Sequence, residues 1–96
     1  MADKKPQKIK KKVIIKNKLG LHIRAAAKLV EVANQYSVDI DIRHQEKTIN
    51  AKSIMGLMTL AAKQGTELEF IASGQHASET IIALTTLIEE RFGEQD

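Results

Sequence analysis

The apolar residues of this chain change period repeatedly, and each change marks an element. From Ile9 to Lys16 the chain turns apolar and β-branched, with Val13, Ile14 and Ile15 together, which predicts a strand. Asn17-Lys18-Leu19-Gly20 interrupts it with residues suited to turn backbones. The spacing then becomes helical from His22 to Tyr36. Leu21, Ala25, Ala26, Leu29, Val30 and Ala33 share one face, and the run of three alanines favours helix. Val38, Ile40 and Ile42 alternate with Asp39, Asp41 and Arg43, as a half-buried strand requires. His44-Gln45-Glu46-Lys47 reads as a polar connection and Thr48-Ile49-Asn50 as a short return strand. A second helix is predicted from Ala51 or Lys52 through Ala62, with Ile54, Leu57, Met58 and Ala61 on one face and Gly65 as the stop signal. Thr66–Ser73 alternates again, with Leu68, Phe70 and Ala72 on one side. Ala77–Phe92 closes the series as an amphipathic helix carrying Ile81, Leu84, Leu87, Ile88 and Phe92.

Each strand thus has one apolar face and each helix one apolar stripe, in the order βαββαβα. The economical way to bury them all is an α+β fold: one four-stranded, mainly antiparallel sheet with the three helices on one face. The chain has 96 residues, which suits a single domain. Residues 1–8 read as a basic flexible tail and residues 9–96 as the domain.

Charge sharpens that division. Residues 1–24 carry eight lysines and Arg24 against Asp3 alone, whereas the rest of the chain is acidic on balance. A solubilising tail is the plain reading, and attraction to acidic partners or nucleic acid is the sharper one. The tail lacks aromatics and any repeating spacing that would read bases, so no nucleic-acid partner is expected. There is no cysteine, which excludes disulfides, thiolate metal sites and cysteine nucleophiles and fits a reducing cytoplasm. No apolar run reaches the roughly 20 residues that span a bilayer, so membrane insertion is not expected.

The chemistry concentrates where the first strand ends and the first helix begins, at Gly20-Leu21-His22-Ile23-Arg24. A helix N-terminus offers unpaired amide N–H groups and the positive end of the macrodipole, which together bind anions. A phosphoryl group on His22 would meet the amides of Ile23, Arg24 and Ala25, and the Arg24 guanidinium can add a charge-assisted contact. Neutral imidazole is a nucleophile and, once phosphorylated, a competent leaving group. Such a site needs no metal or cofactor. The plain alternative is that His22 caps the helix and Arg24 is a solvated surface charge.

The stretch Gly20-Leu21-His22-Ile23-Arg24-Ala25-Ala26 resembles the active-site motif of HPr, the histidine-containing phosphocarrier family of the bacterial phosphotransferase system. A second block, Ile49 through Leu60 followed by Gln64-Gly65-Thr66, resembles that family's regulatory-serine helix and the turn after it. Order and spacing of the two blocks also fit, and the likeness runs from about Val13 to Phe92. The resemblance implies an open-faced β-sandwich. It implies a carrier in a relay rather than a stand-alone enzyme, with His22 phosphorylated through Nδ1 and Arg24 holding the phosphate. It further implies Ser53 as the target of an HPr kinase/phosphorylase, and Ile54, Met55 and Met58 as an apolar patch for an enzyme I-like donor and an EIIA-like acceptor. Two positions depart from the family pattern: Ile23 replaces a small residue and adds apolar contact area, and Ala25 replaces a common proline and restores an N–H. Both sugar transport and a regulatory, nitrogen-related branch fit this pattern.

Other readings have their own marks. Serine near a helix start is commonly a cap. His44 and His76 lie in polar connections and read as solvated. A docking protein that has lost transfer would keep the patch, and Ile23 and Ala25 fit that reading. The element order is also that of split βαβ modules that bind small ligands or RNA. Only Tyr36, Phe70 and Phe92 are aromatic, and only Phe70 falls on a predicted strand, so RNA stacking has no platform.

Overall fold

The structure is a computed structural model that describes residues 8–95. Apart from Lys8, the residues read from the sequence as a flexible tail lie outside the described residues. Lys8 itself opens the first strand, opposite Ser73.

Four strands, β1 (Lys8–Ile14), β2 (Asp39–His44), β3 (Lys47–Asn50) and β4 (Glu67–Ser73), form one sheet in the order β1-β4-β2-β3. All three pairings are antiparallel, with Val13 opposite Leu68, Ile42 opposite Phe70 and Ile42 also opposite Ile49. Three helices, α1 (Ile23–Ala33), α2 (Ile54–Met58) and α3 (Ala77–Glu89), give the expected βαββαβα open-faced sandwich. The strand period of two sends Val13, Ile40, Ile42, Leu68, Phe70 and Ala72 into the core. The helical stripes meet them with Ala25, Ala26, Leu29 and Ala33 from α1, Leu57 from α2, and Ile81, Leu84 and Ile88 from α3. α1 packs against both α2 and α3, and α3 lies against β1 and β4. Ala25, Ala26 and Ala33 of α1 are fully buried; their small side chains let that helix lie close to its neighbours.

β1 ends at Ile14 instead of Lys16, and the larger differences from the sequence reading lie in the β2–β3 connection and at the helix ends. The β2–β3 connection shrinks to Gln45-Glu46, because His44 and Lys47 pair across the hairpin and Gln45 takes φ 57°. α1 ends at Ala33 instead of Tyr36, where Asn34 donates its amide to the Val30 carbonyl. α2 is much shorter than Ala51–Ala62. Ser53 caps it, Thr59 Oγ1 bonds the Gly56 carbonyl at 2.6 Å, and Ala61 turns to φ 50° so that the Ala62 carbonyl accepts from the Leu21 amide at 2.8 Å. α3 stops at Glu89, and Phe92 sits in a short 3-10 turn, Arg91–Gly93, in which Arg91 and Phe92 both have positive φ. Phe92 nonetheless reaches the core, as its place in the apolar stripe requires.

Candidate functional site

Gly20 builds the turn that delivers His22. It takes φ 70°, and a Cβ there would stand 2.6 Å from the Ala62 carbonyl oxygen that holds the Leu21 amide. Both the backbone and the space therefore require glycine. Gly20→Ala is expected to cost about 1–3 kcal/mol, read as a shift of the urea midpoint, and to displace the His22 loop.

His22 is the N-cap of α1, with extended backbone (φ −77°, ψ 176°) and no side-chain bond to the helix. Its carbonyl starts the helix by accepting from Ala26 at 2.8 Å. The amides of Ile23, Arg24 and Ala25 therefore form the first turn, where no intrahelical acceptor exists. The Ala25 methyl is buried beneath them, while Arg24 is exposed and makes no ion pair among the described residues.

The imidazole has a partner that the sequence reading missed. His22 Nε2 lies 2.5 Å from Glu94 Oε2. Glu94 Oε1 accepts from Asn17 Nδ2 at 2.9 Å, and the second hydrogen of that amide goes to the Gly20 carbonyl at 2.7 Å. Asn17 is fully buried, and its Oδ1 has no partner among the described residues. Lys28 Nζ donates to the Phe92 carbonyl at 2.7 Å and so holds the chain end that carries Glu94. Burial pushes the Glu94 carboxyl up, but hydrogen bonds from His22 and Asn17, with the nearby charges of His22 and Lys28, outweigh it and hold the group below its ordinary value. An ionised carboxylate only accepts, so the proton between the two side chains belongs to Nε2, and in the neutral ring Nδ1 carries the lone pair. Nothing in the local sequence pairs Glu94 with His22; only the left-handed turn at Arg91–Gly93 brings them together.

That shift has a consequence for stability. A carboxyl whose value is lowered by folding stabilises the native state above its unfolded value, and this stabilisation is lost as the pH falls through the folded value. Urea midpoints of the wild type and Glu94→Gln, measured from about pH 7 down to pH 3, are expected to differ most at the upper end and to converge in acid.

The second block lies next to the first, because α2 packs on α1. Ser53 caps α2, accepting from the Gly56 amide at 3.0 Å. Ile54 and Met58, which share a helical face by spacing and a docking patch by the family resemblance, are exposed along with Met55, which is 80% accessible; only Leu57 of that face within the helix is buried. Ile23, at 66%, adds to the exposed apolar surface from the first turn of α1. Leu19, at 71%, does so from the loop before it, and the sequence reading passed over it as a turn residue. His76 is exposed and pairs with Glu79 at 2.7 Å, and His44 lies at the end of β2. Neither joins the His22 site.

Known proteins share this fold. The family model described as PTS HPr component phosphorylation site matches residues 9–90. The chain is 43% identical over 86 residues to the phosphocarrier protein HPr of Neisseria meningitidis serogroup A, covering 90% of this chain and 97% of that one. It is 37% identical over 87 residues to the phosphocarrier protein NPr of Shewanella violacea, covering 91% and 96%. The crystal structure of HPr-C-His from Thermoanaerobacter tengcongensis superposes with a TM-score of 0.88 at 43% identity, over 92% of this chain and 99% of the other. The fold and the family match thus define a small phosphocarrier. The chain belongs to the HPr family of the phosphotransferase system.

Proposed function

We propose that His22 takes a phosphoryl group through Nδ1 from a phosphorylated enzyme I-like donor and hands it to an EIIA-like acceptor in the cytoplasm. The observation that carries this reading is the placement of a histidine at the N-cap of α1 with Nε2 engaged by Glu94, which leaves Nδ1 for phosphorus. The first-turn amides of Ile23, Arg24 and Ala25 bind the phosphate oxygens, and Arg24, free to swing on the surface, adds its guanidinium. Ile23, Ile54, Met55 and Met58 dock the donor and the acceptor in turn. Methionine suits a surface that must fit more than one partner, because its unbranched side chain adapts. The identity of the acceptor sets whether the relay serves sugar transport or regulation.

The test is incubation of the full chain with phosphoenolpyruvate and purified enzyme I, read by intact mass and acid lability. Gain of a single acid-labile phosphate supports the carrier reading. No gain with several enzymes I would favour a docking protein that has lost transfer, and would make Ile23 and Ala25 the first residues to revert.

We further assign Ser53 as the residue that an HPr kinase/phosphorylase would modify. A dianion at that cap sits beside Ile54, Met55 and Met58 and opposes their burial against a partner. Ser53→Asp is expected to raise the donor concentration needed for half-maximal uptake by about tenfold, whereas Ser53→Ala should cost only about 1 kcal/mol of stability through the lost cap. Unchanged uptake by the Asp variant would remove Ser53 from the docking surface.

A further inference from the structure

We infer that Glu94 is a positioning residue for phosphoryl transfer, its carboxylate holding the proton on His22 Nε2 while Nδ1 does the chemistry; this rests on His22 being the phosphorylated residue. The contact is built from several directions. Its His22 bond is 2.5 Å long, and the opposite carboxylate oxygen is fixed by the fully buried Asn17, which also holds the Gly20 carbonyl of the His22 loop. The chain reaches this point through three successive residues of positive φ, Arg91 at 56°, Phe92 at 55° and Gly93 at 80°. Such a turn is costly for the two non-glycine residues, and it is held by the buried Phe92 ring and by Lys28 on the Phe92 carbonyl. Glu94 lies beyond the residues 9–90 matched by the family model.

The chemistry follows from the ring. On uptake, the Nδ1 lone pair forms the N–P bond as the donor's bond to phosphorus breaks and its electron pair stays with the donor. The Nε2 proton does not move, and the ring acquires positive charge that faces the Glu94 carboxylate. On release, the N–P electron pair returns to Nδ1, and the imidazole leaves neutral because Nε2 has kept its proton. A carboxylate behind a histidine stabilises the charged ring in the same sense in the hydrolase triad. Lys28 faces the same carboxylate and, with Asn17, keeps it ionised and in place.

The experiment compares the full-length wild type with Glu94→Gln, which keeps the side-chain length and can still accept from Asn17. Nitrogen-15 spectra of the His22 ring should show the neutral wild type with hydrogen on Nε2 alone and that proton strongly downfield. In the Gln variant the downfield proton should be lost and an Nδ1–H population should appear. Single-turnover uptake from phosphorylated enzyme I and release to an EIIA acceptor should both slow by on the order of tenfold, less than a group that transfers the proton contributes, because here the proton is only held. A purely structural Glu94 would move neither the ring spectrum nor the rates in this variant. Wild-type spectra with hydrogen on Nδ1, or a Gln variant with unchanged rates, would overturn the inference and leave phosphorylated His22 standing. Phosphate uptake that survives His22→Ala would overturn the His22 reading itself, and the inference with it.

Discussion

His22→Ala is expected to abolish uptake of the acid-labile phosphate completely while costing only about 1–3 kcal/mol of stability. The reason for the first half is chemical: the side chain is the nucleophile, and no neighbouring group replaces it. His44 and His76 lie outside the site, on the sheet and beside α3. The second half follows from position. The ring is partly exposed at a helix cap, makes no side-chain bond to the helix, and contributes one hydrogen bond, to Glu94. Glu94 keeps Asn17 after the change, so no carboxylate is left without a partner. Intact mass and a urea midpoint on the same preparation check both halves. Residual phosphate on the Ala variant would place the carrier residue elsewhere. Arg24→Ala is expected to behave differently, slowing transfer by on the order of ten- to a hundredfold without abolishing it, because it removes a charged contact to the phosphate but leaves the nucleophile and the amides.

Much of this site is local, which is why it can be read from the sequence. Gly20, His22, Arg24 and Ala25 belong to one strand-to-helix connection, and a turn followed by a helix start fixes their relation within a few residues. The sheet is legible for a similar reason: the alternation of Val38, Ile40 and Ile42 with Asp39, Asp41 and Arg43 points each residue without knowledge of its partners. What escaped depends on residues distant in the chain. α2 ends early, Ala61 turns to φ 50°, and the Ala62 carbonyl accepts from the Leu21 amide, a contact with the His22 loop that is invisible within the helical sequence. Helical spacing alone cannot say which apolar face of α2 is covered, and only the family resemblance points to Ile54 and Met58 as surface residues. Glu94 reads as one acidic residue among several near the chain end. Its value lies in the bonds it makes to Asn17 and His22, and those need the reversal at Arg91–Gly93 that helical periodicity carried straight through.

That reversal is best tested through its anchor. Phe92 is 1% exposed, so Phe92→Ala removes one of the largest side chains of the core and is expected to cost about 3–5 kcal/mol, a large part of the roughly 5–15 kcal/mol that holds a small domain together. Phe92→Gly removes the same ring and more, yet at φ 55° glycine escapes the steric cost that alanine bears. The Gly variant is therefore expected to match or exceed the Ala variant in stability, by up to about 1 kcal/mol, the reverse of the order seen in a regular helix. Urea unfolding of the two variants decides between the structures: if Ala were the more stable, residues 91–93 would be a continuation of α3. The same variants bear on the site. With the ring gone, Glu94 loses the packing that sets the direction of its approach, leaving Lys28 on the carbonyl of residue 92 and Asn17 on the carboxylate to hold it. Weakening of the downfield Nε2 proton of His22 alongside the lost stability would tie the core at Phe92 to the reactive ring. A full Nε2 signal in a destabilised Phe92 variant would show that Asn17 and Lys28 hold Glu94 without it.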